Sequence, residues 1–191
     1  MLDKNQIYVI NNFLPLKEQE EILNEIVYSG CPRVYYFTHT IHDKLDPSLK
    51  ILSEEQFVSP TFGRDTILKR LENKFSISVE KVINSKINWI FRKDISQKDH
   101  MYPPHTDILE PCWVLIYYVL DSDGETLLFN QTLSDIPPNT LVNNYSKLTI
   151  KQRISPKKGT ALLFWSDRYH AGKPPIKNDY RVLINYNFTV K

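Results

Sequence analysis

Residues 102–120 read YPPHTDILEPCWVLIYYVL, and the reading of this stretch organises the rest of the chain. Its second half, Val114–Leu120, is an apolar run rich in β-branched and aromatic residues, which reads as a strand. It is followed by turn residues at Asp121–Gly124. Runs of the same kind recur on both sides: Ile87–Phe91, Thr126–Phe129, Lys147–Ile154, Thr160–Trp165 and Arg181–Val190. Further turn residues separate them at Pro137–Asn139 and Pro156–Gly159. Strands at this spacing predict a sandwich or barrel rather than a parallel sheet with crossover helices.

Before Lys86 the character differs. Ile7–Ile10 reads as a short strand. Pro15 then opens a helix over Leu16–Tyr28, where Ile22, Leu23, Ile26 and Val27 share a face. Val34–Thr38 reads as a strand, and Arg64–Phe75 as a second helix carrying Ile67, Leu68, Leu71 and Phe75 at helical spacing. Between them, from His39 to Gly63, periodicity fades. Irregular chain of this length is either a binding loop or a surface excursion, and both readings stay open. Tyr35, Tyr36 and Phe37 at its base would suit a substrate-covering element. His39 and His42 have no cysteine or carboxylate partners at matching spacing and read as loop histidines. The expected fold is mostly β with flanking helices. Its core, residues 87–191, is a double-stranded β-helix, that is, a jelly roll or cupin-like barrel. The N-terminal helices pack outside it, and residues 1–86 supply helical support and the candidate substrate loop. A plain β-sandwich with decorations is the alternative.

Composition excludes several classes. With 191 residues the chain is one domain by length. Its 41% hydrophobic and 24% charged residues are those of a soluble globular protein. No apolar run approaches the ~18 residues of a membrane span, and MLDKNQIYVI does not read as a secretory signal. Lys+Arg 24 against Asp+Glu 22 gives +2, too balanced to argue for nucleic acid. Cys31 and Cys112 read as buried thiols in a reducing compartment, hence a cytoplasmic protein. The sequons at Asn130, Asn144 and Asn187 carry no weight there.

The chemistry-bearing residues lie in the second half. On an extended strand, His105 and Asp107 point to one face and could bind one ion. A third candidate ligand, His170, stands downstream in LLFWSDRYHAG, and Arg181 opens the last strand. Two imidazoles and one carboxylate on one face of an ion leave three adjacent positions open, the pattern of non-haem Fe(II) oxygenases. An Arg in the same barrel can grip a distal carboxylate in a bidentate pair. Singly, each signal is weak: His-x-Asp is common, a lone His is usually structural, and a lone Arg makes ordinary surface pairs. A zinc hydrolase would also use two His and a carboxylate, but that reading leaves Arg181 unexplained.

Further segments fall in a telling order. Tyr102 stands three residues before His105. CWVLIYYVL carries the paired Tyr117 and Tyr118, and GETLLF occupies Gly124–Phe129. PKKGTALLFW spans Pro156–Trp165, and HAGKPP spans His170–Pro175. Together they resemble the 2-oxoglutarate/Fe(II)-dependent dioxygenases, of prolyl 4-hydroxylase-like type, from Ile7 to the C-terminus and most strongly from Tyr102 onward. The resemblance implies an oxidoreductase that uses O₂ to convert 2-oxoglutarate to succinate and CO₂ while hydroxylating a C–H bond. His105, Asp107 and His170 would ligate Fe(II), and Arg181 would pair with the C5 carboxylate of 2-oxoglutarate. Tyr118 would hydrogen-bond that carboxylate; by alternation only one of Tyr117 and Tyr118 can line the barrel. Tyr102 would be a further cosubstrate-side residue, with Trp165 a candidate for the mouth. Ascorbate is an expected accessory. The chain departs from the family in lacking an Arg-Tyr pair and a Gly shortly before His-x-Asp. Arg92-Lys93 stands further back, and DISQKDH has no glycine. The interval from His170 to Arg181 is also slightly long.

The expected substrate is a peptide or protein, with a free amino acid or other small molecule as the alternative. Alkylated-nucleic-acid demethylases end in Arg-x-Asn-x-Thr-x-Arg, whereas this chain has Asn185 and Lys191 where both arginines would stand, so that class fits less well. A jelly-roll binding module without turnover would be expected to have lost one of the four key residues. All four are present.

Overall fold

The structure is a computed structural model that describes residues 2–28, 35–37, 55–57, 64–92, 101–137 and 147–191; residues 35–37, 55–57 and 64–65 are described by backbone alone. In chain order the elements are β1 (Tyr8–Ile10), α1 (Leu16–Leu23), which continues as a π-helical turn over Asn24–Tyr28, β2 (Tyr35–Phe37), β3 (Glu55–Phe57) and α2 (Arg64–Phe75). The strands that follow are β4 (Val79–Phe91), β5 (Trp113–Tyr118), β6 (Thr126–Thr132), β7 (Ile150–Ile154), β8 (Ala161–Trp165), β9 (Arg168–Gly172) and β10 (Tyr180–Val190). Among the described residues they form a seven-stranded sheet, β1-β8-β5-β10-β4-β3-β2, and a three-stranded sheet, β7-β6-β9. Every pairing is antiparallel. This is the jelly-roll core expected from the spacing of the apolar runs.

Side-chain alternation divides the interior. On β5, Trp113, Leu115 and Tyr117 point outward, where Ile22, Leu23 and Ile26 of the first helix and Ile67, Leu68 and Leu71 of α2 cover them. Val114, Ile116 and Tyr118 point inward and meet Leu128 and Ile154 from the small sheet, with Leu162, Phe164 and Leu183 beside them. A strand buried on both faces carries no polar alternation, which is why CWVLIYYVL is a continuous apolar run. The helices are held by this packing, at about 1.5–3 kcal/mol per buried large side chain. Capping adds little to α1, which makes no side-chain cap hydrogen bond. Gly159, at φ +75°, turns the chain into β8, and its N–H and C=O bond Tyr118 O and Phe13 N at 3.0 and 2.8 Å.

Several elements differ from the sequence reading. β4 begins at Val79, eight residues before the expected Ile87, because it pairs with β10 as far as Val79↔Val190. Glu80, Lys81, Asn84 and Ser85 give that extension no apolar signature, and β4 runs through the expected division at residue 86. β9 was not anticipated: RYHAG is short and carries an Arg and a His, yet four of its five residues are buried. Within the expected irregular segment 39–63, Glu55–Phe57 is a strand between β2 and β4. The rest of that segment, including His39 and His42, lies outside the described residues, as does Cys31. Cys112 is buried. Among the described residues no helix is long and apolar enough to cross a membrane.

Candidate active site

The interior face of the large sheet opens on a pocket between the two sheets. β4 contributes Lys86, Asn88 and Ile90 to it, β10 contributes Arg181, Leu183 and Asn185, and β9 contributes His170, Ala171 and Gly172. Each series follows from alternation, except on β9, where three successive residues reach the pocket. His105 joins through an isolated antiparallel bridge to His170, with reciprocal N–H···O bonds of 2.9 Å. Tyr102 N–H adds a bond of 2.8 Å to Gly172 O, so residues 102–105 lie along β9 as a further rung of the small sheet.

His105, Asp107 and His170 converge here, with one potential ligand atom from each all within 4.8 Å of one another. Asp107 Oδ1 lies 3.8 Å from His105 Nε2 and 3.7 Å from His170 Nε2. Two ligands bonded to one ion at about 2.0–2.2 Å stand at most about 4.4 Å apart, so both separations are within range of a shared metal. The far ring nitrogens suit the same role. His105 Nδ1 is 2.9 Å from Pro103 O, and His170 Nδ1 is 3.3 Å from Arg168 O. A carbonyl only accepts, so these bonds put the proton on Nδ1 and leave the Nε2 lone pair for a metal.

The two oxygens of Asp107 are treated differently. Oδ2 accepts from Asn185 Nδ2 at 2.9 Å and Asn187 Nδ2 at 3.2 Å. Oδ1 is buried and accepts no hydrogen bond among the described residues. Its charged neighbour is Lys86, whose Nζ lies 3.9 Å away. In the metal-free site burial opposes ionisation of Asp107, but the charges of protonated His170, of Lys86 and of protonated His105 outweigh it and hold its carboxyl well below the usual carboxylate range; a metal would take the place of the two Nε2 protons. A buried, ionised oxygen facing two imidazole lone pairs is a donor set that fits a divalent cation.

At the other end of the pocket Arg181 is 2% exposed. Its Nη2 donates to Thr126 Oγ1, which also lies 2.7 Å from the Tyr118 hydroxyl. The guanidinium sits over the Tyr118 ring, 5.7 Å from its centroid. Burial pushes the Tyr118 hydroxyl up, with Arg181 and Thr126 opposing. Thr126 lines the pocket, whereas Tyr118 lies behind it. Tyr117 points to the opposite face, into the helix-covered core. Tyr102 is buried beside Gly172 and does not line the pocket. Trp165 packs on Trp113 with Lys4 over its ring, as part of the outer core.

Sequence reasoning missed Lys86, Asn88, Thr126, Gly172, Asn185 and Asn187. Gly172 aside, their signal was a polar residue at an inward position of a strand, readable only once each strand's orientation is known.

The sequence matches the 2OG-Fe(II) oxygenase superfamily over residues 93–189. The chain belongs to this superfamily. It is accordingly a 2-oxoglutarate-dependent dioxygenase with Fe(II) as its metal. No curated protein matches the chain. Solved structures share the oxygenase fold at low identity. The non-haem α-ketoglutarate-dependent epimerase SnoN of nogalamycin biosynthesis aligns with TM-score 0.66 at 11% identity, over 96% of this chain and 78% of that one. SnoN has also been solved with Fe3+, α-ketoglutarate and nogalamycin RO. A Trichoplax adhaerens prolyl hydroxylase, in complex with a peptide from the oxygen degradation domain of hypoxia inducible factor, aligns with TM-score 0.62 at 17% identity, over 97% and 84%. A Pseudomonas putida prolyl-4-hydroxylase aligns with TM-score 0.61 at 11% identity, over 96% and 91%.

Proposed function

We propose that this oxygenase hydroxylates a C–H bond of a peptide or protein in the manner of a prolyl 4-hydroxylase. In this reading His105, Asp107 and His170 hold Fe(II), and Arg181 grips the distal carboxylate of 2-oxoglutarate. The supporting observation is the convergence of Asp107 Oδ1 with two imidazole Nε2 atoms, at 3.8 and 3.7 Å, in a pocket that a buried Arg181 also lines. When bound, the metal and cosubstrate supply the O₂-activating chemistry that no side chain can.

The chain's own groups have separable tasks. His105 and His170 present neutral imidazole nitrogens fixed by their Nδ1 bonds. Asp107 offsets part of the cation's charge. Thr126 orients the Arg181 guanidinium, and Tyr118 supports both Thr126 and Arg181 from behind, so its effect on the cosubstrate runs through those two side chains. Ile90, Ile116 and Leu183 give the pocket apolar walls that restrict water around the reacting groups.

A small amino-acid-like substrate is the second reading. It is favoured by Lys86, whose side chain is 16% exposed and offers the pocket a second cation beside Arg181, suited to a substrate carboxylate. Anaerobic addition of Fe(II) and 2-oxoglutarate tests the site. A visible charge-transfer band is expected; Asp107→Ala abolishes it, and Arg181→Ala restores it only at much higher cosubstrate. No band from the folded chain would overturn the assignment. Succinate release stimulated by proline-containing peptides supports the first substrate reading, and stimulation by free amino acids alone the second.

A further inference from the structure

We infer that Asn185 and Asn187 are positioning residues that commit Asp107 to ligation through one oxygen. The inference rests on the reading of Asp107 as a metal ligand. Both amides donate to the same atom, Oδ2, at 2.9 and 3.2 Å. A carboxylate oxygen offers about two lone-pair directions, so these donors saturate Oδ2. Oδ1, buried and without a hydrogen-bond donor among the described residues, is left facing the imidazoles.

The placement of the two asparagines is specific. Residues i and i+2 of a strand share a face, and β10 is an interior strand hydrogen-bonded on both edges. Asn185 pairs with Lys86 and Ile116, and Asn187 with Asn84 and Val114. Neither backbone can slide, so the sheet keeps both amides within reach of the carboxylate. Both residues are almost fully buried, 3% and 0% exposed, and the Oδ1 atom of each is buried without a hydrogen-bond partner among the described residues. Buried unsatisfied carbonyls are costly. An apolar residue avoids that cost, as Leu183 does two positions earlier on the same face. The compensating use is the donation to Asp107.

The consequence reaches the chemistry. A carboxylate that ligated through both oxygens would take a second coordination position, whereas two His and one single-oxygen carboxylate leave three open for cosubstrate and O₂. Holding Oδ2 away from the ion preserves those positions. One strand thus carries the cosubstrate grip at Arg181 and the carboxylate clamp at Asn185 and Asn187, all on its inward face.

The test uses the full chain with Co(II) and Mn(II) as probes. Leu has nearly the shape of Asn and lacks its amide donor, so Asn185→Leu and Asn187→Leu are each compared with the wild-type chain. Each Leu variant is expected to bind Mn(II) about tenfold more weakly than wild type, with altered Co(II) d–d absorption, while its metal-free melt stays cooperative. Wild-type affinity and spectra in both folded variants would overturn the inference. A wild-type chain that binds neither metal would instead overturn the metal-site reading itself. A second measurement needs no substitution. In wild-type chain labelled with ¹⁵N-asparagine, the Asn185 and Asn187 side-chain amides, assigned by single substitution to Asp, are expected to be slow to exchange and to shift on Zn(II) addition. Fast exchange with no shift, despite bound Zn(II), would overturn the clamp.

Discussion

His105 and His170 are a reciprocal backbone pair: each N–H donates to the other's C=O at 2.9 Å, and their rings stand 4.6 Å apart between centroids. The imidazoles are therefore spaced by a β-bridge between residues distant in sequence rather than by side-chain adjustment around an ion. It follows that the site is assembled before metal arrives. In metal-free protein the His105 and His170 amides are expected to exchange with solvent as slowly as those of β5. Protection that appears only after metal is added would contradict this.

Lys86 places an ammonium 3.9 Å from the Asp107 oxygen that faces the imidazoles. It helps keep that carboxylate ionised, but the Asn185 and Asn187 amides donate to Asp107 as well, so near neutral pH the dominant effect of Lys86 on an arriving dication is repulsion. Lys86→Gln is expected to tighten Mn(II) binding about tenfold, equivalent to about 1.4 kcal/mol. Titration by the loss of free Mn(II) signal measures it, and weaker binding would show that neutralising Asp107 matters more.

A methyl group at Gly172 would sit 2.8 Å from Arg181 Nη1. The guanidinium is buried and bonded to Thr126, so it must shift within a packed pocket to make room. Gly172→Ala is expected to raise the half-saturating 2-oxoglutarate concentration about tenfold while Mn(II) affinity without cosubstrate changes less than about twofold. Calorimetric titration separates the two.

Thr126 Oγ1 joins Arg181 to Tyr118. Thr126→Val removes both bonds, each worth about 0.5–1.5 kcal/mol net. Tyr118 also interacts with Arg181 directly, and Tyr118→Phe leaves the Arg181–Thr126 bond in place. Cosubstrate affinity is therefore expected to fall more in Thr126→Val than in Tyr118→Phe. The reverse order, in the same titration, would mean that Tyr118 meets the cosubstrate directly.

Asp123 ties the β9–β10 connection to the turn before β6. Its Oδ2 accepts the N–H groups of Ile176 and Lys177 at 3.0 and 2.9 Å, and its Oδ1 that of Asn178 at 3.2 Å. Burial works against ionisation, but the N–H groups of Lys177, Asn178 and Ile176 outweigh it and hold the carboxyl below its usual value. A folded-state pKa below the unfolded value of about 3.9 gives stability that is fully present above the unfolded pKa. That stability is lost as pH falls through the folded value. Asp123→Ala is expected to lower the melting temperature at pH 7 by about 2–4 °C, with the difference from wild type shrinking below pH 4. A constant difference down to pH 2 would refute the linkage.

The strands β5, β8 and β10 and the helix α2 were legible because apolar residues at strand or helical period announce themselves locally. β9 and the first half of β4 were not, since their polar residues are drawn into the sheets only by partners elsewhere. Among candidate site residues, His105, Asp107, His170 and Arg181 were singled out by residue type and order, and the structure brings them to one pocket. Tyr118, read as a cosubstrate contact, lies against Thr126 and Arg181 rather than in the pocket lining. Thr126, Lys86, Asn185 and Asn187 are ordinary residues in sequence, and their importance lies in the face they occupy.

By itself the sequence determined the jelly-roll class and the superfamily, because burial periodicity and the order of chemically distinctive residues are carried by the chain alone. Only the tertiary structure decided how the site is held. Pairing His105 with His170, and setting Asn185 and Asn187 against Asp107, depends on the register of β9 and β10. That register is set by hydrogen bonding and packing across both sheets, to which every strand contributes and which no single segment encodes.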